Sequence, residues 1–147
     1  MPKFEEKKDF PYSKDQMYKM VADVDAYADF LPWCQGVRTY KRTDDSLYAD
    51  LVIGFKMFRE RFTSHVKFTE NRIEVEYIKG PLKYLHNHWQ FTENEDGSCH
   101  VDFLVDFEFR NKIFEKMIGG FFTEAVAHMI HAFEARADSL YNPHKPQ

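Results

Sequence analysis

The stretch Cys99-His100-Val101-Asp102-Phe103-Leu104-Val105-Asp106-Phe107-Glu108-Phe109 has an apolar side chain at every odd position and mostly His, Asp or Glu between them. Side chains alternate between the two faces of a strand, so the pattern predicts an antiparallel strand with one face on the core and one in water. A plausible helix N-cap, Asn111, follows it. Apolar residues then recur at helical spacing from Ile113 to Leu140, which predicts one long helix of roughly 45 Å ending near Tyr141.

The same alternation recurs through residues 37–110, broken by turn sequences such as Thr43-Asp44-Asp45-Ser46 and Glu95-Asp96-Gly97-Ser98. Residues 4–10 predict an edge strand, and Ser13-Lys14-Asp15-Gln16 has the form of a helix capping box. The sequence therefore predicts an α+β fold with short helices after strand 1. In this fold a curved antiparallel sheet of about seven strands wraps around the long C-terminal helix. We place residues 1–141 in a single domain and residues 142–147 in a flexible tail.

Composition narrows the classes of function. The chain has 147 residues, 15 of them Phe, and a net charge of −4 from 20 Lys and Arg against 24 Asp and Glu. This balance argues against DNA binding and broad RNA binding. No secretory signal is visible, and no apolar run approaches the ~18 residues that a membrane span needs. Because Cys34 and Cys99 form no paired motif, we expect a cytoplasmic protein with reduced cysteines.

Motifs for metal binding or catalysis are weak. His86 and His88 lie on one strand face, and His128 and His131 are helical neighbours, but no third ligand comes at a recognisable spacing. The sequence contains no P-loop, no dinucleotide-binding glycine motif and no nucleophile elbow. We therefore predict no metal, no cofactor and no catalytic residue.

The predicted sheet–helix interface is either a filled core or an apolar cavity with a mouth. Three polar residues, Glu60, Ser64 and Asn87, share the inward parity of their strands, where an unpaired polar group is costly. Gly119-Gly120 lies in the middle of the helix and leaves room for a ligand or a close-packed strand. Met and Phe supply deformable apolar walls. Both alternatives stay open, because Phe and Met at these spacings are also ordinary core residues, and Glu60 could pair with an arginine.

Four segments carry a family resemblance: Tyr27-Ala28-Asp29-Phe30-Leu31-Pro32-Trp33-Cys34, Phe58 to Val66, Gly80 to Phe91, and Cys99 to Phe109. They resemble the coenzyme Q-binding START-domain family, which also contains the bacterial ribosome-association toxin proteins, within the START/Bet v 1-like polyketide cyclase superfamily. The resemblance implies the helix-grip fold. It also implies a non-enzymatic carrier that binds ubiquinone or a similar polyprenyl quinone in the cavity and supports respiratory electron transport. Two alternatives remain: a regulator that blocks joining of ribosomal subunits, and a polyketide cyclase-like enzyme with Glu60 as its candidate acid.

The ligand-binding residues predicted for this fold are Trp33, Phe55, Glu60, Phe62, Leu82, Asn87, Trp89, Phe103, Phe107, Met117 and Phe121. Leu82 stands between Lys79 and Lys83 in a loop that the resemblance places near the cavity mouth. An apolar tip flanked by cations suits transient contact with an anionic membrane surface, although an ordinary turn is the alternative. The expected partners are therefore a polyprenylated lipid, a membrane surface that the protein meets peripherally, such as the inner membrane, and, in the alternative function, the large ribosomal subunit.

Overall fold

The computed structural model describes residues 3–55 and 58–141, without the side chains of Phe55, Phe58, Phe114 and Ile118. The first elements are β1 (Lys3–Phe10), α1 (Lys14–Ala22), a 3₁₀ turn (Val24–Ala26) and α2 (Tyr27–Phe30). The strands β2 (Cys34–Tyr40), β3 (Ser46–Phe55), β4 (Phe58–Phe68), β5 (Arg72–Lys79), β6 (Leu82–Glu93) and β7 (Cys99–Phe109) follow. The chain then enters α3 (Lys112–Ala127) and α4 (Met129–Tyr141). Residues 142–147, the expected tail, lie outside the described part.

The strands form one curved antiparallel sheet of seven strands in the order β1-β7-β6-β5-β4-β3-β2. Strands β2 to β7 are a meander in which each strand pairs with the next, as short turn-rich connections favour. The first strand returns to pair with the last, with Lys3 opposite Asp106 and Phe10 opposite Cys99. The predicted fold class is confirmed, and β1 is an edge strand as expected.

The alternation in β7 corresponds to burial. Every odd position from Cys99 to Phe109 is buried, and every even position between them is half-buried. The buried side chains face the helices, because the apolar face of an antiparallel sheet needs a cover. The core therefore lies between the concave face of the sheet and the helices.

The helices begin where the sequence predicts. Ser13 caps α1: its hydroxyl accepts from the amide of Gln16 at 3.1 Å, and the Gln16 side chain accepts from the amide of Ser13 at 3.0 Å. The Asn111 side chain accepts from the amide of Ile113 at 2.8 Å and so caps α3. The C-terminal helix differs from the expectation of one continuous element, because it is interrupted at His128. Hydrogen bonds of the helical i to i−4 type still flank the interruption, from His128 to Glu124 and from Ala132 to His128, both at 3.1 Å.

Contacts with the N-terminal region hold α4 against the sheet. The Tyr12 hydroxyl donates to the Asp138 carboxylate, and Lys8 forms an ion pair of 2.7 Å with Glu134. These contacts fix the helix that covers the concave face of the sheet. None of the described helices is long and apolar enough to cross a membrane.

The Gly119-Gly120 pair lies outside the described cavity lining. A Cβ atom on Gly119 would lie 3.2 Å from Cγ of Glu115 in its own helix and 3.7 Å, an ordinary contact distance, from the ring of Phe109 in β7. A Cβ atom on Gly120 would meet open space. Of the two explanations offered by the sequence, room for a ligand in the cavity does not hold, because neither glycine lines it, and the ordinary distance to Phe109 does not require a glycine for close packing.

Candidate functional site

An internal cavity of about 120 Å³ lies between the concave face of the sheet and the two C-terminal helices. Its sheet side is lined by Ala49, Leu51 and Ile53 of β3, Phe62, Ser64 and Val66 of β4, Ile73, Val75 and Tyr77 of β5, Leu85, Asn87 and Trp89 of β6, and Val105 of β7. The remaining lining residues are Val24, Tyr27, Trp33, Phe122, Met129 and Phe133. No acidic, basic or cysteine side chain is among the described residues that line it, so the cavity is chemically suited to an uncharged, mainly apolar guest.

Aromatic rings form the end of the cavity nearest α4. Phe133 is 1% exposed, and its ring centroid lies 4.8 Å from that of Trp89, 5.4 Å from Tyr27 and 5.1 Å from Phe30. All three pairs are edge-to-face, the arrangement that ring quadrupoles favour. These contacts pack α4 against the sheet, and the packed rings close this side of the cavity.

Four hydroxyl or amide groups interrupt the apolar lining. The Asn87 amide donates to the carbonyl of Leu104 at 2.8 Å, and the Tyr77 hydroxyl accepts from the amide of Leu82 at 2.9 Å. Tyr27 donates to the carbonyl of Val21. Ser64 is 5% exposed, and its side-chain hydroxyl, which has no hydrogen bond to another described residue, keeps some accessible surface. Burial raises the pKa of Tyr77 and of Tyr27, so both hydroxyls keep their protons at neutral pH.

A second, open groove adjoins the cavity on the outer side of Trp33. It has a volume of about 650 Å³ and is lined by Pro32, Trp33, Gly54, Phe121, Glu124, Ala125, His128, His131 and Ala132. Trp33 is half-buried and lines both spaces. The indole therefore stands between the enclosed cavity and the groove that faces solvent.

The structure brings part of the predicted site together. Trp33, Phe62, Asn87 and Trp89 line the cavity, and Phe121 lines the outer groove. Phe103 and Phe107 lie beside the lining, on the same face of β7 as the cavity residue Val105. The ring of Phe103 packs 4.6 Å from Trp89, and that of Phe107 packs 4.8 Å from Phe122. They support the lining without reaching the cavity.

Three predicted residues lie elsewhere. Leu82 is fully buried at 0% exposure and pairs with Phe109, so the idea that it forms an exposed loop tip is wrong. Met117 is 56% exposed on α3 and points away from the cavity. Glu60 is half-buried on β4, does not line the cavity and has no ion pair with a described arginine. The side chain of Phe55, the remaining predicted residue, falls outside the described residues.

The sequence interpretation missed Phe133, Met129 and Tyr77, which all line the cavity. The inward stripe of the helices consists of Phe122, Val126, Ile130, Phe133 and Ala137, all buried. At about 100° per residue, Met117 lies about 140° around the helix from Phe122, so both cannot face the cavity. This spacing excludes Met117 from the cavity only once Phe122 is known to face it, and the sequence alone does not show which of the two does.

Comparison with known proteins agrees with this architecture. The family model for polyketide cyclase / dehydrase and lipid transport matches residues 10–134. The ribosome association toxin RatA of Escherichia coli (strain K12) is 37% identical over 133 residues, which cover 90% of this chain and 84% of that protein. The mitochondrial coenzyme Q-binding protein COQ10 homolog B of Xenopus laevis is 32% identical over 143 residues, covering 94% of this chain and 59% of that protein.

A likeness in structure alone extends further. The Zhui aromatase/cyclase from Streptomyces sp. R1128 superposes with a TM-score of 0.79 over 92% of this chain and 93% of that chain. At 14% identity this likeness shows the fold only. The match over residues 10–134 and the RatA relative at 37% identity show the family itself. The chain belongs to the polyketide cyclase / dehydrase and lipid transport family and has the fold of START proteins.

Proposed function

We propose that this protein is a non-enzymatic carrier that holds a polyprenyl quinone, such as ubiquinone, between its sheet and its C-terminal helices. The observation that carries the proposal is the enclosed cavity, whose described lining is apolar apart from a few uncharged polar groups. The name of the COQ10 relative supplies the class of ligand. General acid or base catalysis needs a titratable group at the substrate. Among the described lining residues only Tyr27 and Tyr77 are titratable, and burial raises the pKa of both, so the lining offers no carboxylate, histidine or lysine for such a role.

The dimensions favour one arrangement of such a ligand. Pockets for drug-sized ligands typically measure about 300–1,000 Å³, and the enclosed cavity of about 120 Å³ is smaller. We therefore expect only the ring of the quinone, with its small substituents, to enter the cavity. The outer groove of about 650 Å³ lies on the other side of Trp33 and offers an isoprenoid tail a surface with both apolar side chains, such as Phe121, and the polar side chains of Glu124, His128 and His131.

Lipid analysis with a cavity-filling variant tests the proposal. Ala49 is fully buried and lines the cavity, so Ala49→Leu places three more carbon atoms in the space that the ring would occupy. Mass spectrometry of organic-solvent extracts is expected to find a polyprenyl quinone on wild-type protein and about tenfold less on Ala49→Leu. Ala28→Leu is the matched control, because Ala28 is exposed on α2. Folded wild-type protein that neither carries nor takes up added quinone would overturn the proposal.

A carrier of so apolar a ligand exchanges it at a membrane, and we infer that α3 provides the contact. Ile113 and Met117 are 70% and 56% exposed on this helix, and Lys112 and Lys116 lie beside them. Exposed apolar side chains flanked by lysines suit the surface of an anionic bilayer. The same helix contributes Phe121 to the outer groove, so contact here would bring the mouth of the groove close to the lipid.

The second candidate function is association with the ribosome. The observation in its favour is the 37% identity with RatA, which exceeds the 32% identity with the COQ10 relative. This candidate predicts that the protein cosediments with free large ribosomal subunits. Lipid binding in the cavity does not exclude it, since a surface that meets a ribosome would lie outside the cavity.

A further inference from the structure

The polar groups of the cavity are concentrated on three neighbouring strands. Ser64 on β4 lies directly opposite Tyr77 on β5, and Asn87 on β6 lies opposite Val75, two residues before Tyr77. All three side chains line the cavity, while the other sides of the cavity are apolar or aromatic. The lining therefore has one polar patch, defined here as Ser64, Tyr77 and Asn87.

This patch keeps unused capacity for hydrogen bonds. Ser64 is 5% exposed, yet its hydroxyl has no partner among the described residues. The Tyr77 hydroxyl accepts from the amide of Leu82, and its own hydrogen has no acceptor in the described part of the chain. Asn87 uses one amide hydrogen on the carbonyl of Leu104 and keeps the other. No side-chain nitrogen or oxygen of the described residues is both fully buried and unpaired, so the Ser64 hydroxyl is still accessible from the cavity. A purely apolar guest would cover this hydroxyl without giving it a partner, at a cost.

The loop between β5 and β6 holds one of these groups in place. Gly80 has φ of +150°, and a Cβ atom there would lie 2.9 Å from the Tyr77 hydroxyl and 3.1 Å from the carbonyl of Arg61. A side chain at position 80 would therefore displace the hydroxyl. Gly80 leaves room for the Tyr77 hydroxyl, and the bond from the amide of Leu82 holds the hydroxyl in place before any ligand binds. A group that is already held in place loses less conformational entropy on binding.

We propose that the patch of Ser64, Tyr77 and Asn87 recognises a carbonyl oxygen on the ring end of the ligand. Each residue has a hydrogen free to donate, and a carbonyl oxygen accepts two such bonds. The proposal rests on the carrier function above and adds to it the group that is recognised and the orientation of the guest. The ring carbonyl meets β4, β5 and β6, and the rest of the ligand extends past Trp33.

A pair of small probes isolates the carbonyl. Acetophenone has a carbonyl group where ethylbenzene has a CH2 group, and each probe is a single ring with one two-carbon substituent. NMR titration of the wild-type chain and of Ser64→Ala measures both affinities. We expect Ser64→Ala to weaken acetophenone binding about three- to tenfold and to leave ethylbenzene binding unchanged, since one neutral hydrogen bond is lost. Ser139→Ala, an exposed serine on α4, is expected to change neither.

Two further variants complete the test. Ser64→Ala removes a hydroxyl that has no partner among the described residues, so it is expected to fold about as stably as the wild type. Tyr77→Phe and Asn87→Leu also remove protein hydrogen bonds, so their thermal unfolding is measured beside their affinities. If wild-type protein binds both probes and no variant shifts the ratio of their affinities, the patch is not a carbonyl site, although the carrier function stands. If folded wild-type protein binds neither probe, the carbonyl site fails, while the lipid analysis of wild-type protein decides the carrier function separately.

Discussion

Asp50 shows how one residue stabilises the cavity lining from the other side of the sheet. It lies on β3 between Ala49 and Leu51, which line the cavity, so its own side chain points to the convex face. There it is 6% exposed and accepts hydrogen bonds from Thr63 at 2.8 Å and from Arg38 at 3.1 Å. Burial opposes the ionised form, but these bonds and a third from Tyr40 outweigh it and lower the pKa of Asp50. The carboxylate thus joins β2, β3 and β4.

This network predicts a stability that depends on pH. A carboxyl whose pKa is lower in the folded chain stabilises it above the unfolded value of about 3.9, and loses this effect as the pH falls through the folded pKa. Asp50→Asn is expected to lower the free energy of unfolding by about 1–3 kcal/mol at pH 7. It should also flatten the fall in stability below about pH 4. Urea unfolding from pH 7 to pH 2.5, with exposed Asp44→Asn as control, measures both effects. Parallel pH profiles for wild type and Asp50→Asn would contradict this account.

At the scale of elements, strands were predictable and the orientation of the helix was not. Alternation in β7 determines burial directly, because a strand has only two faces. In α3 the apolar residues cover more than one face, so periodicity did not separate exposed Met117 from buried Phe122. Leu82 shows another limit. The lysines near Leu82 indicate that it is exposed. In the structure it is buried, because it pairs with Phe109 and its amide donates to the Tyr77 hydroxyl. These contacts form only when the strands assemble into the sheet, so the local sequence does not predict them.

The exposed part of α3 gives an element-scale prediction. If Ile113 and Met117 insert at a bilayer surface, a charged side chain at either position must lose its water of hydration or keep α3 away from the bilayer. Met117→Glu is therefore expected to reduce co-flotation with anionic phospholipid vesicles about fivefold or more, in line with the loss of one apolar contact and the added repulsion. Leu140→Glu is the matched control, because Leu140 is 47% exposed near the end of α4. Equal flotation of the two variants would place the contact elsewhere.

At the scale of the whole molecule, the cavity and the outer surface offer separate routes to function. The cavity is enclosed by the sheet, α4 and the rings around Phe133, and its described lining is almost entirely apolar. A ribosome is too large to use it and must meet the exterior of the fold. The relatives named for coenzyme Q binding and for ribosome association share this one architecture over most of the chain. A substitution confined to the cavity can therefore separate the two functions.

Ala49→Leu provides that separation, because residue 49 is buried at 0% exposure and its side chain is inaccessible to a macromolecular partner. If lipid carriage and ribosome association are independent, the variant loses bound quinone but cosediments with free large ribosomal subunits as well as wild-type protein does. If the ligand controls ribosome association, cosedimentation changes along with the lipid content. Sucrose-gradient centrifugation at low magnesium, with lipid analysis of the same preparations, measures both, and Ala28→Leu serves as control. If wild-type protein carries quinone but never enters the subunit fractions, quinone carriage remains the proposed function and the ribosome is excluded as a partner.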